Sequence, residues 1–484
     1  MRATGEEALR ERLRVALSDA IGEEEIRTDP ESLAWAAEDA AGSAGVGRAE
    51  TDPVFPLLVA LPRSTKAVQA VLRVAAQERV RVVPRGCGTG VMGGARVTET
   101  SLVLDLSELS DIVLRLADGV VEVGAGAVLG EINRRLAPHG YVLGHDPWSV
   151  GIASAGGAFS TDGVGYMAGR WGSMRDQVAG VEAVLADGSI VRSRPFKPAF
   201  GPSLVDLFAG SQGTLGVVSR LWLYVRPLGP ADSFETFRFA GFDSGYRALR
   251  ALWDTGIRYD LLDMSDDEPV ALGLPEGMED AAGRTAILHL GAVGEIEDVG
   301  ARLAVARRVL DGRGATLGEK LSREYWQNRH HWAEVYERTV QQPHDRLRRR
   351  QSRDAPLLDY LNLMLWPSEI PGFRRYALNR VAQAEGLRVG EAGIWCRPEL
   401  FSLVVTAEDA SQGAELDRVL EELASHAQDL GGTCESIHGT GLRWARLMAR
   451  EAEPGAPAFH RIQAALDPEG RLNPGKFPVP GSGG

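Results

Sequence analysis

The densest chemical signal in the chain is a run of glycines. Residues 84–95 read Pro84-Arg85-Gly86-Cys87-Gly88-Thr89-Gly90-Val91-Met92-Gly93-Gly94-Ala95, with five glycines in the ten positions from Arg85 to Gly94. Glycine tolerates backbone conformations closed to other residues and lets a ligand approach the main chain. Successive N–H groups turned inward make a nest for an anion. A pyrophosphate suits such a nest, with Arg85 and Thr89 as additional donors and Cys87 a small filler rather than a nucleophile. An irregular loop with no ligand is the competing explanation, and the density of glycine argues against it.

The nest is not a Rossmann fingerprint, because no helix pattern follows it, and not a Walker loop, because no Gly-Lys-Ser/Thr closes it. Gly124-Ala125-Gly126-Ala127-Val128-Leu129-Gly130 does join a strand to a helix, but its glycine spacing is wrong for dinucleotide binding. A tight turn is sufficient to explain it. Two more glycine-rich segments follow. Residues 144–165 include Asp146, Gly151, Ser154, Gly156, Gly157, Ser160, Thr161 and Gly163, small enough for a large planar ligand to lie against backbone. Residues 207–218 end in Gly216-Val217-Val218. Each alone could be structural; in this order they form a specific signal.

Proton chemistry needs a group that titrates near neutrality, which favours histidine. His438, in the glycine-flanked Ser436-Ile437-His438-Gly439-Thr440-Gly441, is the best candidate for a base. A structural ring bonded to a backbone carbonyl is its alternative. The pair His330-His331 carries no supporting pattern. Arg397, Arg443 and Arg329 could each grip a substrate carboxylate bidentately, although taken singly each is more readily a surface ion pair. Tyr325, Tyr360 and Trp395 are candidates for a pocket wall or for core packing.

The elements that would position these residues are read from periodicity and turn chemistry. A helix is expected at 6–21, a strand at 54–60, a helix from Lys66 to Glu78 capped by Ser64 or Thr65, and a strand at 80–83 feeding the nest. Asp187-Gly188 between apolar runs marks a hairpin. Beyond Pro227-Leu228-Gly229-Pro230, strands at 234–239, 286–290, 360–366 and 401–405 alternate with helices at 244–255, 296–312, 369–384 and 412–430. That pattern predicts an antiparallel sheet covered by helices on one face. The tail from Cys434 returns to glycine and proline loops with one helix.

With 484 residues, two or three domains are expected. A net charge of −13 and the lack of a basic stripe argue against nucleic acid. The run Arg346-Leu347-Arg348-Arg349-Arg350 reads as a solvated face or a site for a phosphorylated substrate. No apolar run is long enough to span a bilayer, and no signal core opens the chain. Cys87, Cys396 and Cys434 are odd in number and far apart, which suggests a reducing, cytoplasmic setting without disulfides.

Taken together the segments resemble the FAD-linked oxidase superfamily of vanillyl-alcohol oxidase and p-cresol methylhydroxylase, and most nearly its glycolate oxidase and D-lactate dehydrogenase branch. The family's Pro-Arg-Gly-Gly-Gly-Thr-Gly is matched by residues 84–90 with Cys87 for a glycine, and its Leu-Asn-Pro-Gly-Lys by Leu472-Asn473-Pro474-Gly475-Lys476. Gly156-Gly157-Ala158-Phe159-Ser160-Thr161-Asp162-Gly163, Arg170-Trp171-Gly172-Ser173-Met174-Arg175-Asp176 and residues 210–218 match three further motifs, so the likeness runs from about residue 54 to residue 476.

The resemblance implies an α+β, two-lobed FAD-binding fold of the PCMH type. Its parts would be an N-terminal segment 1–53, an FAD lobe 54–228, an α+β substrate (cap) domain 229–433, and a tail 434–484 returning to the FAD lobe. FAD would contact residues 84–90, Gly93, Gly94, Asp146, Gly151, Ser154, Gly156, Gly157, Ser160, Thr161, Gly163, Gly216, Val217, Val218, Asn473 and Lys476. Some relatives tether FAD through a histidine where Thr89 stands, so noncovalent FAD is expected, with His438 an alternative tether. The metal-binding histidines of the 2-hydroxy-acid branch are absent from residues 390–397, and that branch's Glu-His-Gly reads Ile437-His438-Gly439. No catalytic metal is therefore expected. The implied activity is oxidation of an alcohol or 2-hydroxy acid, with His438, Arg397 and Arg443 as catalytic candidates. The alternatives are a transferase like alkyl-dihydroxyacetonephosphate synthase, without net oxidation, and a flavin-carrying subunit of a complex. The partner is a small-molecule substrate. Electron acceptor and oligomeric state stay open, a homo-oligomer among the options.

Overall fold

The computed structural model describes residues 2–40, 54–196, 199–265, 285–330, 357–453 and 455–476. Among them three β-sheets organise the chain. The first has four short strands in the order Ile26–Arg27, Val59–Ala60, Ser101–Asp105, Arg81–Arg85. The last three are parallel. Parallel neighbours need a crossover, which the helix Thr65–Gln77 supplies, its first turn capped by Ser64 Oγ accepting from Ala67 N at 3.1 Å. Val68, Val71, Leu72 and Ala75 form one stripe of that helix and pack on Leu13 and Leu17 of helix Arg2–Ile21. The strand expected at 54–60 shortens to Val59–Ala60, since Pro56 has no N–H for a ladder.

The second sheet is antiparallel, in the order Ile112–Arg115, Val120–Gly124, Val217–Pro227, Val178–Val184, Ile190–Arg192. Tyr141–Leu143 pairs with the far end of Val217–Pro227. The Asp187-Gly188 hairpin forms as expected, with Gly188 at φ 83°. The segment 144–165, read as a loop, contains the short helix Ala155–Ser160. A Cβ on Gly156 would lie 2.6 Å from Ala125 Cβ, so only glycine lets this helix sit on its strand.

The third sheet has seven antiparallel strands, ordered Ala315–Gly318, Ala231–Phe239, Ala286–Gly294, Leu261–Ser265, Leu387–Trp395, Leu400–Ala407, Leu357–Met364. Side chains alternate between its faces. One face presents Phe237, Leu288, Met264, Ile394, Phe401 and Leu363 in register to helices Phe242–Trp253, Ile296–Leu310, Ile370–Ala382 and Gly413–Asp429. The opposite face carries the next register line, Thr236, His289, Asp263 and Trp395. Helix Lys320–Asn328 covers its edge through Ser322, whose N–H donates to Thr236 Oγ1 at 3.1 Å. Strands Leu261–Ser265 and Leu387–Trp395 escaped periodicity because polar Asp263 and Glu391 and small Gly393 interrupt their apolar pattern.

The tail holds two helices rather than one, Ala445–Ala452 and Ala456–Leu466. Leu472 then bridges Val82 in parallel, extending the first sheet. The class is therefore α+β. Two polar latches join the lobes. Arg170 Nη1 contacts both carboxylate oxygens of Asp260 at 3.0 Å, and Arg302 Nη1 reaches Asp260 Oδ2 at 2.8 Å. Asp146, buried, accepts Arg329 Nε at 2.7 Å and lies 3.0 Å from His330 Nε2. Among the described residues no helix is long and apolar enough to cross a membrane. His331 and the basic run 346–350 lie outside the described residues.

Candidate active site

Strand Arg81–Arg85 delivers the first glycine loop to the molecule's central cleft. Arg85 is buried beneath that loop, its Nη1 donating to Glu38 O at 2.7 Å and its Nε 3.8 Å from Asp105 Oδ2. Its Nη2 is buried with no hydrogen-bond partner among the described residues. A buried donor in that state is costly until an acceptor arrives. Gly88 sits at φ 65°, and a Cβ there would lie 2.1 Å from Arg85 Nη2. A Cβ on Gly86 would lie 2.2 Å from Ser154 Oγ. The loop is thus pressed against Arg85 and the Ser154 cap of helix Ala155–Ser160, leaving a cradle that side chains would fill. Burial pushes the Cys87 thiol up, which fits a filler.

One cavity of about 500 Å³ runs along this cradle. Residues 84–90, Gly94, Ser154, Gly156, Gly157, Ser160, Thr161, Gly163, Val217, Val218, Asn473 and His438 all line it. Gly93, Asp146, Gly151, Gly216 and Lys476 do not. Gly216 instead makes room for Phe208, whose ring a Cβ would meet at 2.9 Å. Asp146 serves the interlobe latch. Burial raises its pKa, but the adjacent His330 imidazole and the charge of Arg329 outweigh that and leave it lowered. Lys476, fully buried, donates to Arg96 O and pins the tail to the loop, and burial brings its amine down to about 8.

The far wall of the cavity is the polar face of the third sheet. Asp263, Tyr360, Asn362, Glu391, Trp395, Ser402 and Val404 line it, with Tyr325 from helix Lys320–Asn328 and Tyr166 from the lobe that carries the glycine loops. Tyr325 donates a hydrogen bond from its hydroxyl to Asp263 and stacks on His289 at 4.7 Å between ring centroids. Burial first, then the charge of Asp263, hold that phenol well above its ordinary range, so it stays a donor. Tyr166 meets Trp395 edge-on at 5.3 Å and Tyr325 at 6.4 Å. The sequence left Tyr325, Tyr360 and Trp395 open between pocket and core; they are pocket residues.

His438 stands where the two walls meet. Its ring packs on Tyr360 at 5.0 Å, and its Nδ1 lies 3.3 Å from Glu435 Oε1. Gln212, at φ 52°, holds this loop: its Oε1 accepts from Gly441 N at 2.7 Å and its Nε2 reaches Thr440 Oγ1 at 3.0 Å. Asn473 Nδ2 closes the arrangement on Gln212 O at 2.6 Å and Gly94 O at 2.9 Å. Three distant motifs are thereby tied at one point.

Arg397 and Arg443 do not join His438 at the cavity. Arg443 is buried in a bidentate pair with Asp359, both bonds 2.6 Å, and lines no part of the cavity. Arg397 pairs with Glu399 at 2.6 Å beside a second, smaller cavity. Reading the sequence missed Asp263, Glu391, Gln212 and His145. Gln212 lay inside a matched motif whose bonds were invisible; Asp263 and Glu391 carried no signal, because only the pairing of their strands puts each on the cavity side of the third sheet. Among the described residues no cluster of three or more His, Cys, Asp or Glu side chains could hold a metal ion.

FAD, implied by the resemblance, fits this cavity on three observations. The backbone cradle admits no Cβ at Gly86 or Gly88. Among the described residues Arg85 Nη2 and Asn473 Oδ1 are buried without a hydrogen-bond partner, as are both ring nitrogens of His145, whose pKa burial lowers to about 4. All three side chains line the cavity.

Comparison with known proteins points the same way. Residues 56–194 match the FAD binding domain family, and residues 231–477 match the C-terminal domain of FAD linked oxidases. A probable mitochondrial D-lactate dehydrogenase of Danio rerio is 26% identical over 445 residues, covering 87% of this chain and 84% of its own. The glycolate oxidase subunit GlcD of Bacillus subtilis is 25% identical over 437 residues, covering 87% of this chain and 89% of its own. In fold the chain resembles an alkyldihydroxyacetonephosphate synthase, with a TM-score of 0.76 at 14% identity over 96% of this chain and 84% of the other. It also resembles 4-ethylphenol oxidase from Gulosibacter chungangensis, with a TM-score of 0.73 at 17% identity over 97% and 98%.

Proposed function

Since the chain belongs to the FAD-linked oxidases, with FAD as cofactor in a PCMH-type fold, we propose that it oxidises an alcohol or 2-hydroxy acid where its two walls meet. The observation that carries this reading is the continuity of one cavity from the glycine cradle, past His438, to the aromatic and acidic face of the cap sheet. Bound FAD supplies the two-electron acceptor. The chain's own residues hold the substrate and take its proton. His438 receives the hydroxyl proton, the general-base role that an imidazole lining the cavity can take. Tyr166, Tyr325, Tyr360 and Trp395 rest against the apolar body of the substrate, and the Tyr325–Asp263 pair orients its polar end. Arg329, Arg397 and Arg443 are each paired with a protein carboxylate, so carboxylate recognition does not fall to them. FAD is held without a covalent bond at Thr89.

The test is anaerobic. Purified holoprotein is mixed with D-lactate, glycolate, primary aliphatic alcohols and 4-alkylphenols while its visible spectrum is followed. Bleaching by at least one alcohol or hydroxy acid is the expected result. A protein that never binds FAD, or that turns over an acyl phosphate without bleaching, would overturn the proposal. Acid precipitation should release the flavin into the supernatant; flavin retained in the pellet would contradict noncovalent binding.

A further inference from the structure

The family's Glu-His-Gly glutamate falls here on Ile437, yet a carboxylate still reaches the histidine. Glu435, two residues earlier in the sequence, has a fully buried side chain whose Oε1 accepts from Ile437 N at 2.7 Å and His438 N at 2.9 Å. Those two bonds fix the carboxylate beside the imidazole, 3.3 Å from Nδ1. The contact is within ion-pair distance but not aligned as a hydrogen bond in the resting geometry. Glu435 Oε2 is buried and has no hydrogen-bond partner among the described residues. Arg397 shares the second cavity with Glu435, but its guanidinium is committed to Glu399. Within the described residues, then, the histidine is the cationic partner this carboxylate has in reach.

We propose that Glu435 is the positioning residue of His438, a carboxylate displaced by two places in sequence but returned to the imidazole by the turn at residues 435–438. The proposal rests on His438 being the base. A buried carboxylate without a cation is expensive, and a proton arriving on the neighbouring ring removes much of that cost. Glu435 keeps the proton of the neutral ring on Nδ1 and leaves Nε2 free to accept from the substrate hydroxyl. When Nε2 takes that proton, the ring becomes an imidazolium with Nδ1–H still facing the carboxylate; Glu435 itself gains and loses nothing. The groups facing His438 from other elements are the Tyr360 hydroxyaryl ring on strand Leu357–Met364 and, farther along the cavity wall, Asp263, Glu391 and Tyr325.

The experiment uses the FAD-loaded full chain labelled with ¹⁵N-histidine. The His438 resonances are assigned by their loss in His438→Asn. In the wild type the neutral ring should be predominantly the Nδ1–H tautomer. Glu435→Gln keeps an oxygen for the two backbone N–H donors and removes the charge, so the loop and the FAD spectrum should persist while the tautomer ratio shifts at least threefold toward Nε2–H. Glu435→Asp should give an intermediate ratio. An unchanged ratio in both variants would overturn the proposal. Flavin reduction by the best substrate of the screen separates this outcome from failure of the base assignment. If His438→Asn reduces flavin at the wild-type rate, the base reading fails. If His438→Asn is slow while Glu435→Gln is as fast as wild type, only the positioning role fails. Expected instead is a tenfold or larger fall in the reduction rate of Glu435→Gln with KM nearly unchanged, and no fall in the Glu435→Gln, His438→Asn double variant beyond that of His438→Asn.

Discussion

The cavity has two walls built in different ways. The cradle wall is mostly backbone and small side chains, with glycines at 86, 88, 156 and 157. The cap wall is side chains: tyrosines, a tryptophan and two carboxylates projecting from alternate positions of a β-sheet. A cofactor shared by a whole family can be held by main chain, since every residue except proline offers the same N–H. A substrate has to be told apart from others, and only side chains differ. The cradle therefore tolerates little change and defines the cofactor, whereas the cap face can vary while the fold persists.

If that division is right, the largest effect comes from adding an atom to the cradle. Gly88→Ala places a Cβ at a positive φ and against the guanidinium of Arg85, whose buried position leaves little room to yield. FAD affinity should fall about a hundredfold, roughly 2.7 kcal/mol, measured by flavin retention on dilution. Full retention would mean the loop does not carry the cofactor. Next in size is His438→Ala, where flavin reduction should slow about a hundredfold or more while FAD stays bound; stopped-flow absorbance decides it. Tyr325→Phe keeps the ring and removes the donor to Asp263. It should leave FAD binding alone and raise KM about tenfold, the cost of one buried polar contact. An equal loss of FAD would erase the distinction between the walls.

At the latch between lobes the effect falls on stability, not on FAD or substrate binding. Asp146→Asn should cost about 1–3 kcal/mol in thermal or denaturant unfolding at neutral pH, by unpairing Arg329. Because the folded-state pKa of Asp146 is lowered, its contribution is complete above the unfolded carboxylate pKa and is lost as pH falls through the lower folded value. The gap between wild type and variant should close on acidification; a gap that widens would reject the assignment. At the bottom of the scale, Cys87→Gly should bind FAD and turn over within a few-fold of wild type. Burial keeps the thiol protonated, so it contributes little beyond its volume.

The sequence by itself determined the cradle. Glycine spacing at residues 84–95, the segment 144–165 and the Leu472–Lys476 ending each encode a local backbone need, and such needs are written in consecutive residues. The helical cap on one face of an antiparallel sheet was legible for the same reason, since amphipathic periods are local. The tertiary structure decided the rest. Asp263 and Trp395 become neighbours only through the register of two strands more than a hundred positions apart. Arg443 looked like a substrate anchor until the fold placed Asp359 against it. Gln212 became the knot of three motifs only when those motifs converged. Side-chain roles depend on which residues lie across space, and a pattern of neighbours along the chain does not contain that information.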